Sequence, residues 1–295
     1  MEHRDVKEEN QGRFNQQLLQ DIWTEKGFST AEQGKLLNLM LKDGLEVCFR
    51  ATENGEEMYI APQLLPKEAP ADACWQDSPE NLRYVYQYPF MPKGIIGRLI
   101  VRLHEYIENC EGTSCVCGDR EWSRKMVWKN GIYLRKDHCL SRVRFINDRK
   151  LGREIIKIEV QGKEVDDRKH VLREIRQELY SIHRRSFPSL KFFEKIPCNC
   201  EECKGSTTPN EHDNAKLDRM KGKGIGKVQC DVSGEMISIR QLQDGVFGQH
   251  LEPVPPPDPK PTPQIDEKNW WIRWWKWIVA AVGFIGSLAS IISLL

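Results

Sequence analysis

The chain has 295 residues, 29% of them charged, with 44 basic against 43 acidic side chains and ten cysteines. That length accommodates one large domain or two modest ones, and the near-neutral balance gives no argument for wholesale nucleic-acid or polyanion binding. Met1 to Asn10 (MEHRDVKEEN) holds no apolar run, so no signal peptide is expected, and the cysteines are read as metal ligands or buried thiols rather than disulfides.

His3-Arg4-Asp5 followed by Asn10 fits the kinase catalytic-loop pattern. A kinase needs an ATP-binding lobe before that loop and Asp-Phe-Gly after it. Neither is in the sequence, and the match is read as coincidence. From Phe14 to Lys26, Phe14, Leu18, Ile22 and Trp23 recur at helical spacing. Ser29 and Glu32 form a capping box for a second helix, with Leu36, Leu37, Met40 and Leu41 on one face and Gly44 ending it. Leu45 to Phe49 and Glu57 to Ile60 are expected as short strands across Asn54-Gly55, a hairpin turn signal. Two helices and a hairpin outline a winged helix. The second helix offers mainly Gln33, Lys35 and Asn38 outward, so packing against protein is favoured over DNA reading.

A linker over Pro66 to Pro79 leads to a different unit. Tyr84 to Tyr88 suits a strand, and Pro92 opens a helix over Lys93 to Ile107 with Ile96, Leu99, Ile100, Leu103 and Ile107 inward. Lys125 to Leu134 is expected as a hairpin with Asn130-Gly131 at its tip. Strands follow at Arg142 to Ile146 and Glu154 to Val160, then a long helix over Asp166 to Ser186. A meander closed by helices indicates an α+β unit.

Three stretches resemble the COR (C-terminal of Roc) domain of the Roco proteins: EMYIAPQLLP (Glu57 to Pro66), YQYPFMPKGIIGRLIVRLHEYI (Tyr86 to Ile107) and VWKNGIYL (Val127 to Leu134). Their order and spacing agree over roughly residues 14 to 195. The resemblance implies a winged-helix-like first half, a sheet-and-helix second half, a dimerisation surface, and coupling to a Ras-like Roc GTPase domain. No Gly-x-x-x-x-Gly-Lys-Ser/Thr phosphate loop occurs, and the basic stretch Gly222 to Lys227 has the wrong spacing. GTP hydrolysis is therefore expected from a Roc-type partner rather than from this sequence.

Beyond the long helix, IPCNCEECK brings Cys198, Cys200 and Cys203 together, and Cys230 follows after a polar, Gly-rich excursion. Four thiolates are the number a closed tetrahedral zinc site needs, and Cys200-x-x-Cys203 has knuckle spacing. Such a site would clamp a strand ending at Lys195 to another starting at Glu235, across a loop (Gly205 to Lys227) too polar to form a core. A reduced thiol cluster is the alternative, and His212 could replace one ligand. No open coordination position suggests a catalytic metal. Cys110, Cys115, Cys117 and His138-Cys139 are spaced too irregularly to favour a second site.

Pro253 to Pro263 carries seven prolines in eleven positions, a spacer in polyproline II conformation. Trp270, Trp271, Trp274, Trp275 and Trp277, mixed with Arg273 and Lys276, precede nineteen uncharged residues, Trp277 to Leu295. At about 1.5 Å per residue that helix reaches roughly 28 Å, near the ~30 Å hydrocarbon core of a bilayer. The tryptophans and flanking basic residues place its start at the cytoplasmic headgroups. Ala280, Gly283, Ser287 and Ser290 form a small-residue stripe of the kind that lets membrane helices pair.

Read together, the sequence describes an α+β chain. A winged-helix-like part covers 1–66, a sheet-and-helix part 80–195, a zinc-stapled element 196–250, a proline linker 251–269 and a transmembrane segment 270–295. The expected function is a non-catalytic, single-pass membrane-anchored dimerisation and signalling module, with further copies of itself in a dimer or higher oligomer, a Roc-type GTPase or other protein, and membrane lipid as partners and no nucleic acid. A membrane-permeabilising effector is the alternative.

Overall fold

Asn15 ends an extended stretch by capping a helix: its side chain accepts the Leu18 N–H at 2.9 Å. The elements here are β1 (Arg13–Phe14), α1 (Gln16–Glu25), α2 (Thr30–Met40), β2 (Phe49–Glu53) and β3 (Glu56–Ile60), with the three strands ordered β1-β3-β2. The computed structural model describes residues 11–41, 45–70, 75–110, 124–148 and 152–247, all within the unit Met1–Val254. At the start of α2 the Glu32 carboxylate accepts the Ser29 N–H at 2.9 Å, as the capping box anticipates. Phe14, Leu19, Ile22, Trp23, Leu37, Cys48 and Tyr59 form the core between these helices and strands.

Two expectations change here. The first strand of the hairpin starts at Phe49 rather than Leu45. Asn54 and Gly55 both take positive φ (53° and 79°) and close a two-residue turn with Glu53 opposite Glu56, so the ladder runs up to the turn. Upstream, Glu46 also takes positive φ (56°), which breaks any strand there. Gln33 does not face outward. It is buried, and its side-chain amide donates to Thr24 Oγ1 at 3.0 Å and to the Phe28 carbonyl at 2.9 Å. Gly44 lies outside the described residues.

The chain continues through β4 (Leu82–Tyr88), α3 (Ile95–Arg102), β5 (Asn109–Cys110), β6 (Arg124–Lys125), β7 (Val127–Trp128), β8 (Gly131–Lys136), β9 (Cys139–Asp148), β10 (Arg153–Gln161) and α4 (Val165–Ser186). Then come β11 (Phe193–Pro197), β12 (Glu211–Asp213), α5 (Asn214–Gly222), β13 (Lys227–Gln229), β14 (Met236–Ser238) and α6 (Ile239–Phe247). Seven strands make one antiparallel sheet in the order β12-β11-β4-β10-β9-β8-β7. Alternation along the strands gives it an apolar face: Tyr84 and Tyr86 of β4 stand opposite Ile158 and Ile156 of β10. With Val143, Ile132, Leu99, Ile100, Leu179 and Leu242 they form the main core under α3, α4 and α6. The α+β class read from the sequence holds, with six α-helices and antiparallel sheets among the described residues.

Local chemistry moves several boundaries. Gly94, at φ 99°, is the N-cap of α3, so that helix starts at Ile95 rather than Lys93. It gives way after Arg102 to a 3-10 turn over His104–Tyr106. The tip of the next hairpin is Lys129-Asn130, because Trp128 pairs directly with Gly131. Gly131 is needed for close approach instead: a Cβ there would collide with the Trp128 ring and the Val143 carbonyl. The stretch expected as a coreless loop contains α5, capped by Asp213, whose side chain accepts the Lys216 N–H at 2.9 Å, and its Leu217 enters the main core. The expected strand at Glu235 stops at Ser238. Ile239, Leu242 and Val246 are buried at helical spacing in α6.

Two buried charge clusters tie these parts together. Glu46 accepts from Arg98 at 2.8 Å and from Arg102 at 2.6 Å, and Arg102 also donates to Ser181 of α4 at 2.9 Å. On the other face of the large sheet, Glu159 is 2% exposed and meets Arg142 at 3.0 Å, Arg144 at 2.7 Å and Lys157 at 3.0 Å. Arg142 stacks 4.3 Å over Trp75. Burial pushes the Glu159 carboxyl up, but Lys157, Arg142 and Arg144 together outweigh it and hold it below its ordinary 4.5.

Among the described residues no helix is long and apolar enough to cross a membrane. The proline spacer, the five tryptophans and Trp277 to Leu295 lie outside the described residues.

Glu46→Ala removes the carboxylate shared by Arg98 and Arg102, leaving Arg102 with Glu178 at 3.4 Å, and will cost about 3–5 kcal/mol in urea unfolding, more than Arg98→Ala, whose side chain is 31% exposed. Because the folded-state pKa of Glu159 is depressed, its stabilisation is present above 4.5 and is lost as pH falls through the folded value. Glu159→Gln will therefore lower stability at neutral pH and flatten its decline in acid, measured by thermal melts across that range.

Candidate metal centre

Where β11 ends, the chain turns back under itself. The Cys198 N–H donates to the Asn210 carbonyl at 2.7 Å, carrying the β11–β12 ladder one residue past Pro197. Extended backbone sends alternate side chains to one side, so a spacing of two suits Cys198 and Cys200 as the chain leaves the strand. Cys200 opens a tight turn in which the Cys203 and Lys204 N–H groups donate to its carbonyl at 3.1 and 2.8 Å. Cys230 follows β13 directly, and its own N–H donates to the Glu235 carbonyl at 2.8 Å across the β13–β14 turn.

These three chain segments bring the four sulfurs within 4.8 Å of one another. The cysteines are free and at most 4% exposed. Cys230 Sγ lies 3.7 Å from Cys200 Sγ and 3.6 Å from Cys203 Sγ. A disulfide needs about 2.05 Å, whereas sulfurs around a tetrahedral zinc at ~2.3 Å stand roughly 3.8 Å apart. The separations fit a shared ion.

The thiols differ before any ion arrives. Burial pushes Cys198 well up and Cys203 to about 11, against the pull of the Asn210 N–H that donates to Cys203 Sγ at 3.4 Å. Burial also acts to raise Cys230, but hydrogen bonds, those from the Ser233 and Val232 backbone N–H groups among them, bring it to about 6. A divalent ion binding here would displace the thiol protons.

All four cysteines singled out in the sequence converge here. Sequence reading missed the groups around them, Ser233 and Asn210. The spacing Cys230-x-x-Ser233 matches that of Cys200-x-x-Cys203 and was the available signal. His212 is buried on β12 opposite Ile196 and has no hydrogen bond at Nε2. It is not among the groups whose ligand atoms converge. Of the second set, Cys139 is a buried member of the main core and His138 sits at φ 59° in the β8–β9 turn, while Cys115 and Cys117 lie outside the described residues. Asp137, His170 and Glu174 also approach within 4.8 Å, but they are at least partly exposed, and Lys136 Nζ already pairs with Glu174 at 2.5 Å.

The family model described as C-terminal of Roc, COR-B domain, matches residues 79–245. The chain belongs to the COR-B family. The COR-B segment contains every strand of the seven-stranded sheet and all four converging cysteines. COR domains are a non-catalytic part of Roco proteins, associated there with the Roc GTPase and with dimerisation. No curated protein matches the chain.

Stripping divalent metal from the reduced chain with a strong chelator will lower its thermal midpoint and make four more thiols open to alkylation. Adding one equivalent of zinc will reverse both, as followed by differential scanning fluorimetry and mass-counted alkylation.

Proposed function

We propose that this chain is a membrane-anchored COR-type dimerisation and signalling module, coupled to a Roc-type GTPase and exerting its effect through protein contacts. The COR-B match over the large sheet carries this reading. The matched segment holds an antiparallel sheet with helices packed on its apolar face, and no hydrolytic or redox constellation is needed for that work. The sequence supports the anchor: nineteen uncharged residues behind a belt of five tryptophans, preceded by a proline spacer. In this reading the cytoplasmic part changes its pairing when the GTPase partner changes state, and the tail with its small-residue stripe carries that change to the bilayer.

The test compares the full chain with a version ending at Asp266 on phosphatidylcholine vesicles holding a quenched dye. The full chain should float with the vesicles without releasing dye, and the shortened chain should stay behind. Dye release by the full chain would instead favour a membrane-acting effector whose tail permeabilises the bilayer. Failure of the full chain to float would overturn the anchor. Chemical crosslinking of the shortened chain should give a dimer, and a monomer at all concentrations would overturn the dimerisation role.

A further inference from the structure

Two turns in the candidate metal centre are built alike. In one, Cys200-Glu201-Glu202-Cys203 is closed by the Lys204 N–H donating to the Cys200 carbonyl at 2.8 Å. In the other, Cys230-Asp231-Val232-Ser233 is closed by the Gly234 N–H donating to the Cys230 carbonyl at 2.9 Å. Both bonds run from the residue four places on. A glycine at positive φ stands near the end of each turn, Gly234 at 73° as the closing residue of the second and Gly205 at 79° one residue past the closing Lys204 of the first, a conformation that a side-chain-bearing residue rarely takes. Two such turns facing each other, each with two cysteines three apart, is how a four-thiolate ribbon site is usually assembled.

Here the second turn is one sulfur short, because Ser233 stands where its second cysteine would be. The serine still faces the cluster: its hydroxyl donates to Cys200 Sγ at 3.4 Å. A serine hydroxyl does not ionise near neutral pH and is a poor ligand for a borderline-soft divalent ion. The missing thiolate comes from outside the two turns. Cys198, on the end of the β11–β12 ladder, is 4% exposed and its sulfur lies within 4.8 Å of the other three.

We propose that Cys198, Cys200, Cys203 and Cys230 bind one structural zinc ion, with Cys198 taking the ligand place that Ser233 leaves in the second turn. The consequence is mechanical. A site confined to the two turns would join only those turns. Recruiting Cys198 ties them to the edge of the seven-stranded sheet and, through the β13–β14 hairpin that runs straight into α6, fixes the helix that packs Phe247 against Tyr84 at 5.8 Å between ring centres. The Ser233 hydroxyl keeps an outer role as a donor to a metal-bound thiolate.

The experiment measures zinc per chain by native mass spectrometry on the reduced full chain in detergent, together with the cobalt(II) absorption spectrum, whose charge-transfer intensity counts bound thiolates. The wild type should hold one zinc and give a four-thiolate cobalt spectrum. Cys198→Ser should lose zinc affinity by more than the roughly 10–100-fold that outer-shell changes cost. The double variant Cys198→Ser, Ser233→Cys should recover one zinc and the four-thiolate spectrum, which a variant that had merely unfolded could not do. A wild type without zinc would overturn the metal site itself. Zinc binding by Cys198→Ser at wild-type affinity would overturn the role of Cys198 while leaving a metal site. A double variant that binds cobalt with only three thiolates, or does not bind it, would overturn the equivalence of Ser233 and the missing ligand.

Discussion

Four sulfur atoms held within 4.8 Å of one another, each on a residue at most 4% exposed, constrain everything downstream of β11. Cys230 Sγ lies 3.7 and 3.6 Å from Cys200 Sγ and Cys203 Sγ, too far for a disulfide and at the spacing of ligands sharing one ion. Around them the backbone makes two tight turns, a ladder extension and a two-stranded hairpin, with little apolar area to support them. Of the hydrophobic side chains here only Ile237 packs on the cluster, and only partly buried. An element this poor in core gains most from a cross-link, because a tie between distant residues acts on the unfolded chain as well as on the folded one. The hairpin leads directly into α6, whose Ile239, Leu242 and Val246 are buried in the main core.

Elsewhere the molecule relies on ordinary packing with a few charged pins. Phe49, Ala51, Ile60 and Leu65, from the hairpin and the turn after it, enter the same core as the large sheet. Arg13 pairs with Glu53 at 2.9 Å, and the other Glu53 oxygen accepts the Lys125 N–H at 2.9 Å. Such buried pairs add little net stability beside an apolar substitute, yet breaking one is costly, so they fix one arrangement against others.

The order of helices and strands was legible because apolar period and turn chemistry agree over Phe14 to Ser186. The capping box at Ser29, the Asn54-Gly55 turn and the long amphipathic helix stand where their residues indicate. Misreadings cluster where one residue has two uses. Gly131 reads as a turn glycine but serves close packing against Trp128. Gln33 reads as a surface side chain but is buried and hydrogen-bonds Thr24 and the Phe28 carbonyl at the end of α1. Helices α5 and α6 were illegible for a different reason: a single Leu217 anchors the first, and the second follows a strand with no break in hydrophobic pattern. The four cysteines were found by spacing alone. The part of Cys198 became clear only once the β11–β12 ladder and the likeness of the two turns were seen.

The COR-B assignment and the thiol centre meet in the proposal that a single zinc ion ties the sheet edge, the two turns and the hairpin leading into α6. X-ray absorption at the zinc edge on the reduced, zinc-loaded full chain tests this most directly. The expected result is a single shell of four sulfurs at about 2.3 Å with no nitrogen or oxygen in it. A shell containing oxygen or an imidazole nitrogen, or a chain that takes up no zinc, would contradict it.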